Sequence, residues 1–440
     1  MSTYTPDLFG LEIASTGIAA GTADALVTSE PAAARVEGDA IVAGWAAFAA
    51  KAPAPVWHDF WEHLSRDPLP ESGADRILAR SILAYNHLGQ TLAGLGADPA
   101  RASCAVALAP SILDDEERTG LFLSMAKSHG LRLRGLLPLP LALAVGAARS
   151  MNTFPDDGPF DILDIDAGQW TVYSLHRADG MIRLDTATTT REGRRKVLRA
   201  HFFDALSARF LAETAFDVRH NAAAETLFRL AVERFLHSDP GEGEHTLQLA
   251  TRKARSITVS RAAARELAAD LPHRVIGALG LDDPGTRAPL FISHRAHFLP
   301  GLAEALAAGR TRPVTLLPAG TGVHGAMVAA AGWPVAEIIE ATPEFRELTV
   351  PQANAPAAAA SPPETPVDIE MPTHVVWRGI VHPLDHPALP HFLPVRDGKL
   401  LRAEGIRVNG GSARALQPLK PGDRLEIGEE AFLLTRMAPA

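Results

Sequence analysis

One acidic residue draws attention first. In "FDILDIDAGQW" (160–170) an apolar strand delivers Asp164 to a turn made of Asp166, Ala167 and Gly168. An aspartate at that place can orient a metal-bound water, or it can simply cap the turn. Hairpins that grip phosphate usually follow such an aspartate with glycines, whose bare amides close on the anion. Here an acid and an alanine stand there instead. A second polar group of interest is the pair Ser15 and Thr16 in "FGLEIASTG", hydroxyls on a turn that could touch phosphate or serve the turn itself. His294 and His297 have no cysteine or carboxylate at ligand spacing, so they read as surface histidines. His374, His382, His386 and His391 are spaced by prolines in a way that points them apart. No metal site is expected.

These residues sit in a chain of 440 with 47% hydrophobic and 21% charged residues, the make-up of an ordinary globular protein. A net charge of −9 without a basic stripe argues against nucleic acid as a partner. The start "MSTYTPDLFG" lacks the pattern of a signal peptide. The run "GLLPLPLALAVGAA" is too short to span a bilayer and holds two prolines. A cytoplasmic protein without a membrane span is therefore expected. The single cysteine, Cys104, lies in the apolar "SCAVALAP" and reads as an inert buried thiol.

Short strands and helices alternate to position these groups. "LFGLEIAS", "ADALVTSE", "AIVAGWA", "SCAVALAP" and "RLRGLLPL" read as strands. "RILARSILAYNHLGQTLAGLG" and "DDEERTGLFLSMAKSHG" read as helices, the latter capped by Asp114 or Asp115 and closed by Gly130. Trp57 and Trp61 are read near the start of a helix, as packing residues. The pattern restarts after Met151. "FDILDID" and "WTVYSLHR" form a hairpin joined by "MIRLDTATTT". Helices follow at 196–215 and 221–236, then a strand pair, a helical "AAARELAADLPHRVIGALG", the strands "PLFISHR" and "PVTLLPA", and a last helix over 322–331. Two successive halves of this kind predict a bilobal α/β domain over about 1–345, with lobe I at about 1–150 plus 310–345 and lobe II at about 151–310. A Pro- and Ala-rich linker (346–372) and a small all-β module (373–440) complete the expected organisation.

The order of elements resembles the nucleotide-binding domain of the Hsp70 family, within the actin and sugar-kinase superfamily. The stretch 106–148, "VALAPSILDDEERTGLFLSMAKSHGLRLRGLLPLPLALAVGAA", is similar to that family's strand, Arg-bearing helix and "EPTAAALAYG" helix. "FRLAVERFLHSD" resembles its adenosine-side subdomain, "PLFISHRAHFLPGL" its "GGSSRIP" segment, and "GVHGAMVAA" its "VAIGAAVQA". The resemblance implies a nucleotide cleft at Glu12, Ser15, Thr16, Asp164, Gly168, Glu233 and Arg295. It also implies that the cleft is degraded. The family's first-loop aspartate is Glu12, its catalytic lysine falls on Trp61, its glutamate before the helix is Leu137, and its later aspartate is Thr171. Its adenosine-side "GGS" is His294, Arg295 and Ala296, and an adenosine-contacting lysine is Leu236. Phosphoryl transfer needs placed positive charge and metal, and Trp61 supplies neither. Asp166 would add repulsion toward phosphate of about 1 to 4 kcal/mol.

The resemblance thus implies an Hsp70-like pseudo-ATPase: a scaffold, partner-binding or chaperone-like regulatory protein with protein partners. The alternative is a slow Mg-dependent ATPase in which Glu12 and Asp164 work with magnesium and ATP or ADP. A third is a small-molecule kinase of the same fold. At the C-terminus "GIRVNGGSARALQPLKPGDRLEIGEEAFLLTRM" resembles the last strands of a forkhead-associated (FHA) β-sandwich, without that family's "GR" and "S-x-x-H" residues, and implies a protein-interaction module.

Overall fold

A computed structural model describes residues 8–331 except 23–24, 50–53, 71–77, 96–101, 239–243, 250–254, 269, 284–287 and 309–311. Beyond them it describes strand residues at 347–349, 374–377, 380–383, 395–396, 399–400, 406–408, 411–412, 424–427 and 430–435. The fold is mixed α/β. Among the described residues no helix is long and apolar enough to cross a membrane.

The first sheet grows around β1 (Leu8–Ala14). The tight turn at Ser15 and Thr16 sends the chain back antiparallel as β2 (Gly17–Gly21), and β3 (Leu26–Pro31) pairs next to it. On the other side lie β7 (Ser103–Leu108) and β8 (Arg132–Pro138), both parallel, giving the order β3-β2-β1-β7-β8. All six residues of β7 are buried, as expected of a parallel strand covered on both faces. Burial pushes the Cys104 thiol up, which keeps it inert. A small sheet of β4 (Ala33–Glu37), β5 (Ala40–Ala43) and β6 (Trp57–His58) flanks it.

The helices α1 (Arg80–Leu95), α2 (Pro110–Leu113), α3 (Glu116–Ser128) and α4 (Leu139–Ser150) complete this half. Asp115 caps α3 by accepting from the Arg118 amide. The second sheet repeats the topology. β9 (Gly158–Asp166) is its centre, β10 (Gln169–Ala178) and β11 (Met181–Thr190) follow antiparallel, and β14 (Leu290–Ile292) and β15 (Val314–Leu316) add in parallel. Helices α5 (Arg195–Thr214) and α6 (Ala222–His237), the hairpin β12 (Glu244–Leu249) and β13 (Arg255–Ser260), α7 (Arg261–Ala268), α8 (Leu271–Ala278) and α9 (Leu302–Ala307) cover its outer side.

Helix α10 (Thr321–Ala330) crosses α4 at very short range. A Cβ at Gly325 would lie 1.7 Å from the Ala142 carbonyl oxygen, and one at Gly146 would lie 2.1 Å from that of Thr321. Only glycines allow that approach. One core joins the first sheet, α4, α10 and the Phe160–Ile162 face of β9. A second core takes the opposite face, Leu163 and Ile165, with Phe202, Phe210 and Phe228 of the outer helices. The period of two along β9 therefore turns Asp164 and Asp166 toward the first half of the molecule.

Three local expectations are corrected. Trp57 and Trp61 do not begin a helix. Trp57 is in β6, and the chain then turns with Asp59 at φ +59° before Trp61 is buried completely. The single helical stretch expected after β13 is two helices, because Pro272 sits in the first turn of α8 and cannot continue a preceding helix. Third, β16 (Glu347–Thr349), from the start of the expected linker, pairs with β11. The remainder of the linker lies outside the described residues. Strands at His374–Trp377, Ile380–Pro383, Ile406–Val408, Gly411–Ser412, Arg424–Ile427 and Glu430–Thr435 form one antiparallel sheet. Ile406, Val408 and Leu425 are buried. His386 and His391, and the side chains of His374 and His382, lie outside the described residues.

Candidate functional site

Glu12 and Asp164 occupy the equivalent central strands of the two sheets, and the fold brings them to the same place. Between them lies the guanidinium of Arg295, carried by the 3-10 turn His294–Phe298 that follows β14. Its Nε donates to Asp164 Oδ1 at 2.9 Å and its Nη2 to Oδ2 at 2.7 Å. Its Nη1 donates to Glu12 Oε1. Ser293 Oγ donates to Asp164 Oδ1 at 2.5 Å, and the Ile165 amide donates to the same oxygen at 2.8 Å. Arg295, Glu12 and Asp164 are all 3% exposed or less. Burial lowers Arg295 to about 9, which leaves it protonated at neutral pH. Burial pushes the Asp164 carboxyl up to about 8. The Ser293 and Ile165 donors and the bidentate fork, which favour the ionised form, oppose that push. Glu12 Oε2 is buried without a hydrogen-bond partner, against Gly322 in the first turn of α10. The centre therefore carries its own cation.

A second ionic network runs beside it. Arg195 and Arg199, one turn apart on α5, both bind Asp59 at 3.0 Å. Arg199 Nε also meets Glu233 Oε1 of α6 at 2.9 Å. Arg195 Nη1 donates to the Ser15 carbonyl at 3.0 Å, and the Arg195 amide donates to the Gly168 carbonyl. The bonds to Asp59 and Ser15 tie turns of the first half to α5 of the second. Burial alone would raise Asp59, but Arg195 and Arg199 overcome it and hold the carboxyl well below the usual range. Burial, with Asp59 and Asp166 facing it, pushes Glu62 up to about 7.

Aromatic rings close what remains. Phe48 stacks on His58 at 6.0 Å between centroids and tilts against His237 at 5.6 Å, and His237 meets Phe298 edge-on at 4.8 Å. Between Glu12, Thr16, His237 and Arg295 only about 60 Å³ of cavity is left. Sites for small organic ligands measure about 300–1,000 Å³. A larger groove of about 640 Å³ opens elsewhere, between Gly44–Ala49, α6 and β12.

Each residue expected at a nucleotide cleft has a definite place. Glu12, Asp164 and Arg295 form the central triad. Thr16 lines the small cavity, and Ser15 offers its carbonyl to Arg195 while its buried hydroxyl has no partner. Gly168, at φ +64°, forms the β9–β10 turn together with Ala167 at +47°. Glu233 is 13% exposed and joined to Arg199. Asp166 accepts from the Ser111 amide at 3.0 Å and the Ser111 hydroxyl at 2.5 Å, so its charge is engaged there. Trp61, in the place expected of a lysine, donates to His87 Nδ1 at 3.0 Å in the core, and Leu137 is buried in β8.

The sequence reading missed Asp59, Arg195, Arg199, Ser293, His58 and His237. The i,i+4 spacing of Arg195 with Arg199 and of Glu233 with His237 was a usable signal. Asp59, on an irregular turn, had none. The two imidazoles and Glu233 bring ligand atoms within 4.8 Å of one another. Compared with known proteins, the chain matches no family model and no curated sequence.

Proposed function

We propose that this chain is an Hsp70-like, actin-fold pseudo-ATPase that serves as a scaffold or partner-binding regulator. Its bilobal body is joined to an FHA-like interaction module at the C-terminus. The repeated sheet topology and the α4–α10 pair between the sheets support the fold part of that reading. One observation carries the functional part: the Arg295 guanidinium lies between Glu12 and Asp164, where a magnesium ion and its waters would have to act. In enzymes of this kind the cation must be exchangeable and bound to the nucleotide. A guanidinium fixed to the chain occupies the space between the two carboxyl groups and supplies a cation that cannot leave with a nucleotide. The cavity beside it, about 60 Å³, holds water but not adenosine.

The test is calorimetric titration of the full chain with ATP and ADP in magnesium, followed by a phosphate-release assay. No heat at millimolar nucleotide and no phosphate are expected. Micromolar binding with turnover that is lost in Asp164→Ala would overturn the proposal in favour of the slow ATPase, with Arg295 swinging aside.

A further inference from the structure

A cluster of metal-ligating side chains lies next to the ionic networks and shares only Glu233 with them. Glu233 and His237 are one turn apart on α6 and so share a face of that helix. His58 arrives from β6, on the other side of the molecule's midline. Each residue ends in a buried atom with no hydrogen-bond partner: His58 Nδ1, Glu233 Oε2 and His237 Nε2. Orphaned polar atoms of this sort are rare in folded proteins, because each loses its hydration and gains nothing. The same three residues, from two distant segments, bring ligand atoms within 4.8 Å of one another, which is the arrangement a shared partner would satisfy.

We propose that His58, Glu233 and His237 bind a zinc ion that staples the 57–64 turn to α6. The donor set selects the metal. Two imidazoles and one carboxylate suit zinc, whereas magnesium and calcium prefer oxygen alone. Ligand atoms around tetrahedral zinc stand about 3.4 Å apart, given bonds of about 2.0–2.1 Å. The ligand atoms would close by up to about 1.4 Å, within reach of small χ rotations. Burial keeps both imidazoles neutral, the form that donates a lone pair. Glu233 is held from behind, since its Oε1 accepts from Arg199, which in turn is fixed by Asp59. Such outer partners orient ligands. Arg195 and Arg199 put two positive charges nearby, which Asp59 and Glu233 balance before a metal enters. His237 also lines the cavity of about 60 Å³, which is large enough for a water to serve as a fourth ligand. The staple would bridge the same halves that the ion pairs bridge, and the inference does not depend on the pseudo-ATPase reading.

The full chain, stripped with chelator, is titrated with zinc by calorimetry and with cobalt(II) by visible absorption. One equivalent with the intense bands of tetrahedral cobalt is expected. His58→Gln and His237→Gln should each weaken that equivalent at least about 100-fold, the upper range seen even for lost outer partners. His220→Gln, on the surface, should leave it intact. Zinc bound at the C-terminal histidines would survive both substitutions, so the readout is the equivalent that disappears. If His237→Gln does not fold, the half-buried His58 carries the test alone. No zinc binding by the wild-type chain, or binding unchanged in His58→Gln, overturns the proposal.

Discussion

Replacing Arg295 by methionine should expose how much the fold depends on its internal cation. The substitution keeps most of the side chain's bulk and removes three charge-assisted hydrogen bonds to Asp164 and Glu12. Both carboxylates stay at 2% exposure, so water cannot replace what is lost. Breaking a buried ion pair by deleting one partner costs about 3–5 kcal/mol, and that is the expected loss at pH 8. The pH dependence gives the argument its sign. Without the guanidinium nothing charged offsets the burial that already raises Asp164, so its carboxyl rises further above its unfolded value. The folded variant then binds more protons than the unfolded chain, and its stability falls as pH rises. The wild-type Arg295 keeps its proton to about 9 and already offsets part of the burial that raises Asp164, so the deficit should grow from pH 5.5 to pH 8. Urea unfolding followed by circular dichroism at the two pH values measures it. Arg295→Lys should fall in between, since it restores charge without the fork. Replacing all three residues, as Glu12→Met, Asp164→Leu and Arg295→Met, should recover most of the loss. A deficit below about 1 kcal/mol at pH 8, or one that does not grow with pH, would refute the picture of a buried cation holding two buried carboxyl groups.

Other perturbations bear on the frame around the triad. His87 is buried among Phe60 and Trp61, and burial lowers it from 6.5 to about 3. The unfolded chain therefore takes a proton at this position first, so stability should fall by about 1.4 kcal/mol per pH unit below 6.5 on its account. The stability difference between wild type and His87→Leu, measured from pH 7 to 5, should shift by that slope. Gly325→Ala sets a Cβ 1.7 Å from a backbone oxygen of α4 and should cost more than about 3 kcal/mol, read as a large drop in melting temperature. Ala167→Gly relieves a left-handed alanine in the β9–β10 turn and should stabilise by up to about 1 kcal/mol in urea unfolding. That variant combined with Asp166→Gly should still bind no nucleotide by calorimetry, because Arg295 and the small cavity are unchanged.

The alternation of strands and helices, the caps and the turns were legible in the residues themselves. "SCAVAL" is a buried parallel strand because the five apolar residues after Ser103 leave no polar face, and Asp115 caps α3 through a bond spanning three residues. The period of two in "FDILDID" also fixed which residues share a face with Asp164. Other elements escaped a local reading. "GIAAG" forms β2 although its small residues have little strand preference, because β1 and β3 lie on either side of it. Glu12, Asp164 and Arg295 are separated by more than a hundred residues each, and nothing in their neighbours says that one guanidinium will fill the space between two carboxylates. That outcome depends on how the second sheet is set against the first across α4 and α10, which glycines at 146 and 325 allow. Local propensity and period act over a few residues and so are written in the chain. Charge compensation inside the protein acts through space, and only the packed structure decides which opposite charge arrives.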